Sequence, residues 1–145
     1  MKAHFVLMLL ATACGGGSGG YDDLFGAPVV TTTTPDTIEG LWGGSADVSV
    51  ATLDYRVVIT DGSVTFASRC NFVDGTKETV GVTVAASASS TDVLVKQSAS
   101  DAAGSGDHAC RITATPADLG AQLSGTNLVL SFPNGDSMAL VKLSD

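Results

Sequence analysis

The sequence predicts an all-β domain: a small antiparallel up-and-down meander of about eight or nine short strands, closing into a barrel and carrying one disulfide. Three observations lead there. Between Thr37 and Asp145 short β-branched runs alternate with turn residues, at the roughly ten-residue spacing of a sandwich or barrel. Asp61-Gly62 and Asn134-Gly135 stand between such runs, where these dipeptides favour tight hairpins. No stretch between them has a helical period; one turn at "PADLG", 116–120, is the most the sequence allows.

The chain opens differently. Lys2 and His4 make a weakly basic start, Phe5 to Leu10 is apolar, and Ala11, Thr12 and Ala13 are small. This is the three-part layout of a secretory signal, with an apolar run too short to span a bilayer. A buried core helix would need a polar face, and this run has none. "Leu10-Ala11-Thr12-Ala13-Cys14", followed by "GGGSGG", resembles the lipobox of bacterial lipoproteins, although Ala11 stands where leucine is commonest. The resemblance implies removal of residues 1–13 and lipidation of Cys14 on both sulfur and amine; two or more acyl chains hold a protein stably on a membrane. Gly15 is not the aspartate that retains some such proteins at the inner membrane. The expected location is therefore the cell envelope, lipid-anchored and at the outer membrane if the source is Gram-negative.

The cysteine count agrees. Cys14, Cys70 and Cys110 make an odd number, which in an exported chain asks for an explanation. Lipidation of Cys14 leaves two thiols to pair in an oxidising compartment.

The 145 residues carry 15 acids against 7 Lys or Arg. Loss of residues 1–13 removes Lys2 and no acid, so the net charge falls from −8 to −9. With no basic stripe, neither nucleic acid nor an anionic lipid surface is an expected partner. The expected partners are the membrane, through the lipid anchor, and a protein or a small apolar ligand.

Residues 14–36 read as a Gly/Ser/Thr tether ahead of a domain at 37–145. As coil the tether separates anchor from domain by roughly 25–30 Å, and fully extended by about 80 Å. "YDDLF" at 21–25 interrupts it with two aromatics, and docking of this segment on the domain is left open.

Strands are expected near 46–51, 53–60, 63–72, 78–87, 92–97, 108–115, 120–124, 127–132 and 137–143. The Asp61-Gly62 turn pairs Ile59 with Val64, Val57 with Phe66 and Leu53 with Cys70, while Asp54 meets Arg69 on the other face. A one-residue slip would destroy that agreement. The "VDGTK" turn needs an odd-length loop if Val80, Val82 and Val84 are to face Cys70, Ser68 and Phe66. The Asn134-Gly135 turn sets Leu128, Leu130 and Phe132 against Val141, Ala139 and Ser137. Register puts Cys70 on the apolar face with Phe66 and Phe72, and alternation puts Cys110 with Ile112 and Ala114, so a Cys70–Cys110 disulfide in one core is expected.

"Ile38-Glu39-Gly40-Leu41-Trp42", the two mid-domain cysteines and the closing "GTNLVLSF" resemble lipocalin-like barrels. That resemblance implies a barrel with Trp42 plugging one end. The domain is shorter than a full lipocalin and has no late arginine to pack across Trp42.

Residues for catalysis are scarce. His4 leaves with the leader, so His108 is the only mature histidine. Asp107 and His108 point to opposite faces of a strand, and a disulfide-bonded Cys110 with one histidine makes no zinc site. "Gly135-Asp136-Ser137" matches an esterase nucleophile block, but only eight residues follow it and none is histidine. Asp101 and Asp107 lie in a Gly-rich stretch without the alternating ligands of a calcium loop, so a flexible loop is expected. Asp61, Asp74 and Asp136 are turn formers. The expectation is a non-catalytic module with no metal and no cofactor. Small disulfide-bonded lysozyme inhibitors are the alternative, since "Arg69-Cys70-Asn71-Phe72-Val73-Asp74-Gly75" resembles their Cys-containing loop.

Overall fold

A computed structural model describes residues 20–26, 34–88, 92–95, 99–103, 110–114 and 119–144. Cys14, the rest of the leader, Asp107 and His108 lie outside the described residues. The strands are β1 (Gly40–Val48), β2 (Ala51–Thr60), β3 (Ser63–Phe72), β4 (Lys77–Ala88), β5 (Asp92–Val95), β6 (Ala99–Ala103), β7 (Cys110–Ala114), β8 (Leu119–Ser124), β9 (Asn127–Ser131) and β10 (Ser137–Ser144). A 3-10 turn covers Asp22–Phe25. Among the described residues no helix is long and apolar enough to cross a membrane.

Eight strands build one curled antiparallel sheet in the order β1-β10-β9-β8-β5-β4-β3-β2, with β2 bonded back to β1. The expected all-β antiparallel fold with one disulfide is present. The simple meander is not. β5 pairs with β8, and between them β6 and β7 form a separate two-stranded sheet packed on β3 and β4. Asp101, expected in a flexible loop, belongs to β6 opposite Ile112. Leu119 and Gly120, part of the suggested helical turn, open β8.

The β2–β3 hairpin forms in the expected register, from Ile59 with Val64 down to Leu53 with Cys70. Its neighbours need correction. The first strand begins at Gly40, and Ser49-Val50 is the turn instead of a strand end. Glycine weakens strand propensity, which hid this start, yet two glycines are required there. A Cβ on Gly43 would meet Leu143 Cδ1 at 2.6 Å, and one on Gly44 would meet Leu140 Cδ2 at 2.8 Å.

The β3–β4 loop, Val73-Asp74-Gly75, has the expected odd length, but Val80, Val82 and Val84 face Ser68, Phe66 and Val64. The shift is two residues, so every valine keeps its face. At β9–β10 the error is one residue, and it changes faces. Leu140 pairs with Leu128, and Met138 with Leu130; Leu140 is buried and Val141 exposed. The reason is a three-residue loop where a two-residue turn was expected. Asn134 Oδ1 accepts the Asp136 N–H at 3.1 Å, and Gly135 adopts φ 91°, the left-handed position of a bulged hairpin. Asp74 and Gly75 repeat this arrangement in β3–β4.

The concave face holds the core. Ile38, Trp42, Val57, Ile59, Val64, Leu119, Leu128 and Leu140 are essentially inaccessible in the main cluster. Trp42 donates its indole N–H to Ile38 O at 2.8 Å. Although no late arginine exists, the Lys142 ammonium lies 5.2 Å from the Trp42 ring centroid and donates to Glu39 O. These contacts offset the cost of burying a charge.

A second cluster gathers Ala51, Cys70, Phe72, Val80 and Cys110 around the disulfide. Cys70 and Cys110 are bonded with Cα atoms 5.7 Å apart and a sequence separation of 40. The bond staples the side hairpin to the concave face of β3. A Cys70→Ala Cys110→Ala variant is expected to lose about 3–4 kcal/mol of stability in the chain-entropy account. Urea unfolding measures the loss, with the far-UV circular dichroism of the folded protein unchanged.

Candidate functional site

On the convex face, strand register assembles a trench. One row across four strands reads Gly43, Arg56, Ala67, Gly81, and the next reads Ser45, Asp54, Arg69, Thr79. Small side chains in the first row lower the surface of an otherwise β-branched sheet, and two arginines stand beside the depression. Outward-facing strand positions are normally solvated. Here Ala67, Gly81, Thr79 and Leu143 are buried.

Over Gly81 and beside Thr79 lies the Tyr21–Phe25 segment. Its route can be followed residue by residue. Tyr21 lies flat on Gly81, so close that a Cβ there would fall 2.6–2.7 Å from three ring carbons. Asp22 bonds Arg69 through its carboxylate at 3.0 Å and through its backbone carbonyl at 3.1 Å. Arg69 also donates to Thr79 Oγ1 at 3.2 Å. Leu24 O accepts from Arg56 Nε at 3.2 Å, and Arg56 donates a second bond to Tyr55 O at 2.8 Å. Phe25 sits under both guanidiniums, 4.5 Å from Arg69 and 5.0 Å from Arg56. The segment thus crosses the sheet from β4 towards β1.

Electrostatics explain why these groups gather. Two like charges on adjacent strands repel; the negative face of one aromatic ring, a carboxylate and two carbonyl oxygens answer them. Burial pushes the Arg56 pKa down while the Asp54 charge opposes it, yet a guanidinium remains protonated in any protein setting. Hydrogen bonding from Thr79 and then Arg69 holds the Asp22 carboxyl below its usual range.

An open, largely apolar cleft of about 570 Å³ continues the trench beyond Leu24, over Gly40, Leu41, Val58 and Ile59. On the concave face Tyr55 is half-buried, and burial raises its phenol pKa. Glu78, opposite Cys70, carries a buried carboxylate oxygen with no hydrogen-bond partner among the described residues. No group of three or more His, Cys, Asp or Glu among the described residues could hold a metal ion.

The residues singled out from sequence are not brought together. Cys70 and Cys110 are consumed in the disulfide. Asp61, Asp74 and Asp136 occupy turns, and Ser137 begins β10. Sequence reasoning placed Arg69 on the outer face opposite Asp54 but missed Arg56, Ala67 and Gly81. Their signal was present: arginine alternating with core valines, Gly and Ala in β-branched strands, and two aromatics flanking two acids in a Gly/Thr tether.

Gly81→Val should expel the Tyr21 ring, since the new side chain occupies its place. The expected result is faster chymotrypsin cleavage at Tyr21–Phe25 with the sheet intact, followed by mass spectrometry of the fragments. Acid should act on the same contact. Because the folded Asp22 pKa lies below the ordinary carboxyl value of 3.8, its contribution is complete above that value and is lost as pH falls through the depressed one. The Asp22 side chain is about half exposed and solvent screens it, so the effect is at most about 1 kcal/mol. Protease protection of the segment should hold at pH 5–8 and weaken below about pH 4, with Asp22→Asn removing the pH dependence. Compared with known proteins, the chain matches no family model, no curated protein and no solved structure.

Proposed function

We propose that this chain is a membrane-anchored bacterial envelope lipoprotein whose non-catalytic, closed lipocalin-like barrel binds a protein partner or small ligand through its outer surface. The observation that carries the binding role is the docking of Tyr21–Phe25 in the arginine-flanked trench. Recognition of a short aromatic and acidic turn is built into the convex face, whereas Trp42, Leu128 and Leu140 fill the concave one. The lipobox-like leader ending at Cys14 supports the anchor. With the segment docked, the six residue steps from Cys14 to Gly20 reach at most about 20 Å. The tether is then short, and the trench side of the sheet sits nearest the membrane.

A second reading, a periplasmic inhibitor of a lysozyme-like hydrolase, is favoured by the β3–β4 tip. Val73 is 83% exposed there, and its N–H bonds Val50 O on the adjoining turn, where Val48 and Val50 are also exposed. Three exposed valines on two neighbouring tips make a small apolar prong suited to a cleft.

Two measurements test these readings. Cys14→Ser should move the protein from the membrane fraction to the soluble envelope fraction and abolish incorporation of a palmitate analogue; unchanged labelling refutes the anchor. Lysozyme turnover in the presence of purified protein tests the inhibitor reading, with Val73→Asp expected to relieve any inhibition.

A further inference from the structure

We propose that the trench also receives the Tyr21–Phe25 segment of a second copy of this chain, so that the docked segment is both a latch on its own sheet and the connector of an exchanged dimer. The proposal rests on the trench and is independent of whether Cys14 carries lipid.

The argument begins with complementarity. The recognised features form a short linear set: an aromatic ring on Gly81, a carboxylate and a carbonyl on Arg69, a carbonyl on Arg56, and a second ring shared by both guanidiniums. All of them lie within five consecutive residues, and none depends on the strand network of the donor. A second copy presents the identical segment, so every contact made in cis is available in trans. Reach permits the exchange. The eight residue steps from Gly26 to Thr34 extend to about 28 Å, comparable with the diameter of a small domain. A neighbouring copy in side contact is therefore within range.

Charge also selects this occupant. The chain is strongly acidic overall, with a formal charge of −8, and copies repel at long range. The trench is where two of the few cations, Arg56 and Arg69, stand together and meet the acidic Tyr21-Asp22-Asp23 start of the segment. Like-charged chains thus meet at a site where their charges are complementary. Within one chain the attached segment has an effective concentration of order millimolar, so the latch wins at low protein concentration and exchange requires crowding or a vacated trench.

The test uses full chains in detergent solution and a fluorescent synthetic peptide of residues 20–26 as probe. A segment-disabled chain, Tyr21→Ala Phe25→Ala, should bind the peptide saturably by anisotropy. The intact chain should bind at least about tenfold more weakly. A trench-disabled chain, Arg69→Gln Gly81→Val, or Arg69→Gln alone, should not bind it. Retained Cys70–Cys110 oxidation and far-UV circular dichroism certify that each variant is folded. Mixing the segment-disabled with the trench-disabled chain should give a one-to-one complex by native mass spectrometry, each alone being monomeric. Absence of peptide binding to the folded segment-disabled chain, or equal binding to the trench-disabled one, overturns the site. Peptide binding without the mixed complex overturns the second copy as its occupant.

Discussion

One register, that of the Asp61-Gly62 hairpin, decides both faces of this protein at once. Side chains alternate along a strand, so fixing Leu53, Val57 and Ile59 inward against Cys70, Phe66 and Val64 also fixes Arg56 outward beside Ala67, and Asp54 outward beside Arg69. A slip of one residue that turned β3 over would carry Arg69 into the concave core, where uncompensated charge costs several kcal/mol per ion. The same slip would remove Cys70 from reach of Cys110. Core, disulfide and trench therefore share one constraint, and the turn residues enforce it.

The disulfide works within that frame. Among the described residues β5 is bonded to β4 through three residue pairs and to β8 through four, far fewer than the ten pairs that join β2 to β3. The chain spends the intervening residues on a side hairpin with a small sheet of its own. Linking Cys110 to Cys70 fastens this hairpin to the best-paired part of the sheet and fills the space beside Val80 and Phe72. At the opposite end Trp42 does comparable work without a covalent bond. Its indole bonds Ile38 O and its ring carries the Lys142 ammonium, a contact made possible by the register shift between Leu41 and Trp42 that sets Lys142 opposite Trp42.

On the convex face, two guanidiniums sharing one phenylalanine ring would be an unstable arrangement by themselves. The segment that supplies the ring also supplies the carboxylate and the carbonyls, so cations and counter-groups arrive as one unit. Glycine at position 81 is required because the Tyr21 ring approaches the strand backbone more closely than any Cβ permits. The site is built from absences of side chain as much as from their presence, which makes it specific for a flat ring.

How much of this could be read from the sequence follows from the range of each interaction. Strand runs, the Asp61-Gly62 turn, the inward set of β2 and β3 and the pairing of Cys70 with Cys110 were legible because alternation and turn chemistry act over neighbouring residues. The loop at Asn134-Gly135 departs by one residue, since the same dipeptide serves both two-residue and three-residue loops, whereas at Asp74-Gly75 the odd length was legible and only its centre was not, so the register moved by two. The start of β1 was hidden because Gly40, Gly43 and Gly44 answer to Ser144, Leu143 and Leu140, about a hundred residues away. The trench was invisible for the same reason: Gly43, Arg56, Ala67 and Gly81 come from four strands, and only the successive registers of β1 to β4 set them in one row beneath Tyr21–Phe25. By itself the sequence determined the period of two, the turns and the thiols available to pair; the tertiary structure alone decided which distant residues share a row, because that depends on how strands are counted across loops and not on any residue's own preference.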